Sequence, residues 1–249
     1  MANIVKYKVA IVSYLDILGF KNIVGTRSAG EISRIIRVFK EATQPDRFIP
    51  KPRLVTNEDF ANFSDLMIIS TPLENRSAPP RGLLFSHLLH LVRAQTILTC
   101  DEHIVIRGGV TIGKIVRSWG QLYGPAIVRA YDLESEVAKN PRIVVGREVL
   151  KEIRSNPGLW VHDLETDYQA VRGLLRQDSD REYFVDYLRV IFNELDNPET
   201  EYPQILDGHR ALIDERLRQY AGNEKILGKY QWLDRYHAET LSQLHSSNA

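Results

Sequence analysis

Hydrophobic positions along the chain change their spacing several times, and each change marks an element. Residues 7–17 are dense in Val, Ile and Tyr with little alternation, which predicts a buried strand. From Gly19 to about Ala42 the spacing turns helical, with Ile32, Ile35, Ile36 and Phe39 on one face. Pro45, Pro50 and Pro52 end that stretch. Strands are predicted at 53–57 and 61–70, joined as a hairpin by Asn57-Glu58-Asp59. Pro79-Pro80 leads into a long helix over about 81–100, carried by Leu84, Leu88, Leu91 and Ile97. The next strand is 103–112, where Gly108-Gly109 signal a bulge or a close backbone approach. A second hairpin turns near Ser118-Trp119-Gly120. A helix over 125–139, a strand at 142–145 and a helix at 147–154 follow. Beyond Pro157 the pattern loosens: 182–188 reads as a strand that completes the sheet, 204–245 as mostly helical, and 246–249 as frayed ends.

The order β-α-β-β-α-β predicts a ferredoxin-like core of the α+β class, with an antiparallel sheet and helices on one face. The expected organisation is one domain over 1–190 and a helical C-terminal extension, 191–249, packed on the same domain.

Composition narrows the function classes. The chain has 249 residues, 43% of them hydrophobic, enough for one large core. Its 32 basic and 32 acidic residues cancel, so the electrostatic footprint of a nucleic-acid binder is missing. Cys100 is the only cysteine, which excludes an intrachain disulfide. With no apolar leader at the start and no run near the roughly 20 apolar residues of a membrane span, a cytoplasmic protein with no membrane contact is expected. His87 and His90 lie three apart in a predicted helix and read as ordinary helix positions, since no third ligand is close in sequence.

Two aspartates carry the candidate chemistry. Asp16 sits in Tyr14-Leu15-Asp16-Ile17-Leu18-Gly19-Phe20, and Asp65 in Asn62-Phe63-Ser64-Asp65-Leu66-Met67-Ile68-Ile69-Ser70. A carboxylate in a buried strand is costly unless paired. Two of them on neighbouring strands call for a cation, and Mg²⁺ or Mn²⁺ suits hard oxygen ligands. Mg²⁺ is commonly shared with substrate phosphates, which points to a nucleoside triphosphate. The plainer reading, that Asp16 caps the following helix, accounts for only one of the pair.

Four segments then resemble one family in order and spacing. The 14–20 run is similar to the Phe-x-Asp-Ile-x-Gly-Phe signature of the class III nucleotidyl cyclases, the adenylate and guanylate cyclase catalytic domain. Asp65 stands where that family places its second metal aspartate, at a hairpin tip. Ile106-Arg107-Gly108-Gly109-Val110-Thr111-Ile112-Gly113 resembles its Arg-x-Gly-Ile-x-x-Gly strand, and Tyr123 to Ser135 its Trp-Gly-x-x-Val-Asn-x-Ala-x-Arg-Leu-Glu helix. The resemblance covers about residues 7–155. It implies that 1–190 is a catalytic domain in which Asp16, Asp65 and the Ile17 carbonyl hold two metal ions. It also implies that backbone N–H groups of Leu18, Gly19 and Phe20 cradle phosphates, with Gly19 permitting close approach. Because the family's sites form between subunits, it further implies a head-to-tail homodimer.

Departures from the family pattern carry information too. Ala61 replaces the purine-reading lysine and Gln121 the purine-reading acid, Val128 replaces the asparagine, and Asp132 the transition-state arginine. This combination resembles the pyrimidine cyclases of bacterial Pycsar anti-phage systems. That likeness implies conversion of UTP, or alternatively CTP, to a 3′,5′-cyclic nucleotide that a separate effector protein receives. Gln121, Ala61 and Tyr123 then become base-site positions, with Tyr14 and Phe63 as further aromatic candidates for filling the pocket. Arg129 is the candidate for transition-state charge, with Arg107 and Arg117 as alternatives; its plainer reading is an ion pair with Asp132 or Glu136. The plainer reading of Gln121 is an ordinary polar hairpin residue. Adenylate or guanylate cyclase activity, and a catalytically silent nucleotide-binding module, stay open.

Overall fold

Strand β1 (Lys8–Ile17) runs through the middle of the sheet, and that position explains its weak alternation. Ile11, Leu15 and Ile17 are buried in the main core on one face, while Ala10 and Val12 are buried against a smaller cluster on the other. A strand covered on both faces has no polar side to show. The computed structural model describes residues 5–43, 59–63, 65–73, 80–118 and 121–247. Its further strands are β2 (Asp59–Phe63), β3 (Leu66–Pro72), β4 (Ile106–Ser118), β5 (Gln121–Tyr123), β6 (Ile143–Val145), β7 (Leu175–Gln177) and β8 (Tyr183–Val185). The helices are α1 (Phe20–Thr26), α2 (Ala29–Ala42), α3 (Leu83–Thr96), α4 (Pro125–Asp132), α5 (Arg147–Ser155), α6 (Leu164–Gly173), α7 (Tyr187–Val190), α8 (Pro198–Gln219) and α9 (Glu224–Ser247).

The sheet order is β2-β3-β1-β4-β6-β8-β7, with β5 paired to β4. Its first four strands are mutually antiparallel and have the ferredoxin-like arrangement, so the α+β expectation holds. Beyond them the sheet is mixed, because β6 joins β4 in parallel. The expectation of helices on one face also needs correcting. α3 packs in the main core, whereas Ala126 and Ala130 of α4 pack with Ala10 and Val12 on the opposite face.

Local chemistry accounts for the other differences. The predicted helix from Gly19 to Ala42 is broken after Arg27, where Ser28 and Glu31 form a reciprocal capping box that starts α2 afresh. The strand predicted over 61–70 is a hairpin instead: β2 and β3 pair in register with Phe63 opposite Leu66, so Asp65 leaves the strand and sits in a turn at the tip. Residues 53–58, including the strand and turn expected there, lie outside the described residues, as do Trp119 and Gly120 of the second hairpin. The strand at 182–188 is shorter, and α6 and β7 were not anticipated because a three-residue strand carries almost no period. Gly108 and Gly109 mark close approach rather than a bulge, since both keep their register with β1.

Contrary to the reading that no run nears a membrane span, Leu83–Asp101 is long and apolar enough by length and composition. Its Leu84, Leu88, Leu91 and Leu98 are buried in the main core. His87 on the same helix is also buried, with Nε2 2.6 Å from the Ser13 hydroxyl and Nδ1 2.8 Å from that of Thr71. The C-terminal helices join this core too. Trp232 and Tyr236 of α9 pack edge-on against Phe184 of β8, and His209 of α8 meets His237 of α9 at 2.9 Å between Nδ1 atoms.

Candidate active site

Asp16 is the penultimate residue of β1, and its neighbours across the sheet are Leu66 on β3 and Arg107 on β4. The hairpin turn places Asp65 beside it: the Ile17 N–H donates to the Asp65 carbonyl at 3.2 Å. The two carboxyl groups face each other. Burial raises the Asp16 pKa above the ordinary aspartate value, Arg107 opposes this, and Asp65 adds to it by repulsion and a shared hydrogen bond.

Arg107 is the cation next to this pair. Its Nε donates to Asp16 Oδ2 at 3.3 Å and lies 2.6 Å from Glu134 Oε1. Glu134 reaches it because α4 runs on from Asp132 into a wider turn, Leu133–Val137, that carries the Glu134 side chain inward. Burial raises the Glu134 pKa, against the pull of Arg107. The glycines of β4 set the height of α4. A Cβ on Gly109 would run into the Ala130 carbonyl and lie 2.5 Å from Leu133 Cβ, and one on Gly113 would lie 3.2 Å from Ala126 Cβ. Only a bare strand lets the helix, and so Glu134, sit this low. Tyr14 completes the rim, edge-on to Tyr131 with centroids 5.5 Å apart. Burial raises its pKa, and the charges of Glu134 and Asp16 add to that.

The turn after β1 differs in detail from the phosphate cradle that the resemblance implies. The Leu18 N–H donates to the Val105 carbonyl at 2.8 Å, so it is not open to a ligand. Among the described residues, no backbone acceptor takes the Gly19 or Phe20 N–H. Gly19 has φ +79° and a Cβ there would meet nothing within 4 Å, so the fold itself requires glycine for its dihedral angle rather than for space.

The remaining sequence candidates stand apart from this cluster. Arg129 of α4 is half exposed and donates to Glu148 of α5 at 3.1 Å, not to Asp132 or Glu136 of its own helix. Glu148 also accepts from the Thr111 hydroxyl at 2.7 Å. Ala61 on β2 pairs with Ile68, which pairs with Tyr14, one side-chain step along the sheet from the row of Asp16. Gln121 pairs with Ser118 and Tyr123 with Val116, at the far end of β4 from Arg107. That is roughly 30 Å along a strand rising about 3.3 Å per residue. Arg117 belongs to the same far end. One chain therefore brings together Asp16, Asp65, Ile17 and the Gly19 turn, and leaves Gln121, Tyr123 and Arg117 remote from them.

Among the described residues there is no group of three or more His, Cys, Asp and Glu side chains that could hold a metal. Two carboxylates and the Ile17 carbonyl are nonetheless a hard-oxygen donor set of the kind Mg²⁺ or Mn²⁺ takes. Sequence reasoning did not pair Arg107 with Asp16, though the β1–β4 register sets them opposite. It also passed over Lys229 of α9, whose charge is felt at Glu134. No signal near position 229 could have revealed this, because tertiary packing alone brings α9 there.

No protein-family model and no curated protein matches the sequence. Among solved structures the chain is similar to the guanylyl cyclase Cya2, at 14% identity and a TM-score of 0.42 over 59% of this chain and 79% of that one. It is also similar to a bacterial light-regulated adenylyl cyclase, at 15% identity and a TM-score of 0.47 over 83% of this chain and 99% of that one.

Proposed function

We propose that this chain is a class III nucleotidyl cyclase acting on a pyrimidine nucleoside triphosphate, with UTP preferred over CTP. The observation that supports it most is the pairing of Asp16 and Asp65 at one end of the sheet, directly before the left-handed Gly19 turn. The reaction is attack of the ribose 3′-oxygen on the α-phosphorus with loss of pyrophosphate. Asp16, Asp65 and the Ile17 carbonyl would hold two Mg²⁺ or Mn²⁺ ions, which when bound neutralise phosphate charge and favour the 3′-alkoxide. The chain's own part is to fix those carboxylates. Arg107, itself braced by Glu134, holds Asp16 in place, and the Gly19 and Phe20 N–H groups offer donors to phosphate oxygens.

The base would be read by Ala61, Gln121 and Tyr123. Gln121 can donate and accept, which matches the N3–H and O4 of uracil and, turned over, the edge of cytosine. Since Gln121 and Tyr123 lie far from Asp16 in one chain, the reading requires a second copy to supply them, together with Arg129, in a head-to-tail homodimer. Val128, Tyr131 and Tyr123, all exposed apolar side chains on α4 and β5, give that contact a surface. The product would serve as a second messenger to a separate effector protein in anti-phage defence. A silent nucleotide-binding module is the second reading, favoured by Val128 and Asp132 at the asparagine and arginine positions and by Arg107, which already balances Asp16.

Incubating the protein with equimolar ATP, GTP, CTP and UTP and Mn²⁺, then separating the products, is the test. Cyclic UMP as main product is expected. Dominant cyclic AMP or cyclic GMP refutes the pyrimidine reading, dominant cyclic CMP refutes only the choice of UTP, and no cyclic product leaves the silent module.

A further inference from the structure

A cleft of about 140 Å³ opens beside the Gly19 turn, between α1 and the C-terminal helices. Leu18 and Gly19 form one wall, and Arg216 of α8 and Lys229 of α9 form the other, with Arg27 at the edge. Among the described residues no aspartate or glutamate lines it, although the chain as a whole has as many acidic as basic residues. Its cations are not equivalent. Arg27 is paired with Glu31 and Arg216 with Glu215, both at 3.1 Å. Lys229 is half-buried and, among the described residues, has no hydrogen bond or ion pair within 4.0 Å. A half-buried ammonium without a partner is costly, and an anion in the cleft would remove the cost.

Position says which anion. Burial and the like charges of Arg107 and Lys225 lower the Lys229 pKa, while Asp16 and Glu134 raise it. The ammonium therefore stands within electrostatic reach of the carboxylate cluster on one side and lines the cleft on the other. The cleft begins at the Gly19 turn, immediately after Asp16 and Ile17, and its wall includes Gly19, whose N–H no backbone acceptor takes among the described residues.

We propose that this cleft seats the β- and γ-phosphates of the nucleoside triphosphate, and the pyrophosphate it releases, with Lys229 of the C-terminal helix as their positioning cation. This assignment rests on the nucleotide reading above. It gives the C-terminal helices a part in the site of their own chain.

Inorganic tripolyphosphate is the probe, because it has the phosphate chain and no base or ribose. In the unmodified protein, tripolyphosphate should protect Lys229 from acetylation by an amine-reactive ester, read by peptide mass spectrometry, while an exposed lysine such as Lys21 stays reactive. Unchanged labelling of Lys229 at saturating tripolyphosphate overturns the proposal. Lys229→Met should weaken tripolyphosphate binding by about tenfold or more in calorimetry. Lys229→Arg should restore most of it, and Arg218→Met, outside the cleft, should leave it unchanged. Equal loss in the methionine and arginine variants would mark a packing role and also overturn the proposal. With triphosphate as substrate, Lys229→Met should raise KM more than it lowers kcat. Protection of Lys229 without any cyclic product would refute the cyclase reading and keep the anion site. Cyclic product without protection would do the reverse.

Discussion

Asp16 is held between opposing influences. Burial and the neighbouring Asp65 both disfavour its charge, and Arg107 returns part of that cost at 3.3 Å. A guanidinium can stand in for missing positive charge, but Arg107 is shared with Glu134 and cannot neutralise three carboxylates. Asp16→Ala and Asp65→Ala should therefore each lower cyclic nucleotide formation by about a hundredfold or more, the scale seen when a preorganised charge is removed from an active site. Far-UV circular dichroism should stay unchanged, since neither side chain packs in the core. Substantial activity in either variant would show that the pair does not hold the metal. The identity of these two residues was legible from the sequence because a carboxylate within an apolar run is conspicuous. The reach of Arg107 was legible only through strand register, and that of Lys229 was not legible at all.

At the scale of elements, the height of α4 above β4 decides whether Glu134 meets Arg107. Gly109→Ala puts a methyl group against the Ala130 carbonyl and Leu133. A loss of about 1–3 kcal/mol in denaturant unfolding is expected from such overpacking. Activity should fall as well, because lifting α4 withdraws Glu134. Unaltered stability would mean that the helix yields freely. The pairing of α8 with α9 offers a second measurement. His209 is buried against Tyr187 and His237, and burial lowers its pKa to about 3 from the usual 6.5. Between those values the unfolded chain takes up a proton that the folded chain refuses, so stability falls as pH drops from about 6.5 towards 3. The slope is at most about 1.4 kcal/mol per pH unit for one such group. His237, shifted the same way, adds to it. Unfolding midpoints between pH 7 and pH 5 should show the decline, and His209→Gln should flatten it; an identical slope in the variant would place its origin elsewhere. β1 and α3 were readable because their apolar residues recur over ten residues or more, whereas glycines and charged residues interrupt the pattern of β4, which was expected at 103–112 but begins at Ile106 and runs on to Ser118. The break between α1 and α2 was missed although Ser28 and Glu31 spell a capping box, since continuous apolar spacing masked it. The side of the sheet that α4 takes could not be read, because periodicity identifies a buried face without saying what buries it.

For the whole molecule, the geometry divides the proposed site between the two ends of the sheet. Asp16, Asp65 and the Gly19 turn lie at one end, and Gln121 and Tyr123 lie at the other. A strand does not bend back on itself to join them, so the proposed site would need the opposite end of a second chain. A two-fold head-to-tail pair satisfies this with one interface and creates two equal sites. Arg129 is half exposed on α4, and its contact with Glu148 leaves it at the surface where a second copy would pack. The prediction is genetic complementation in solution. Asp65→Ala and Arg129→Ala chains should each be inactive alone. After subunit exchange, half of the dimers contain one chain of each kind, and each mixed dimer has one site with both residues intact and one with neither. Activity should recover to about a quarter of wild type. Labelled subunits must be shown to exchange in the same sample. If they do and activity stays at the level of the separate variants, either the site lies within one chain or Arg129 has no part in it. Asp65→Ala mixed with Gln121→Ala then separates these outcomes, because Gln121 marks the far end of the sheet independently of Arg129. Recovery with neither mixture would return the site to a single chain.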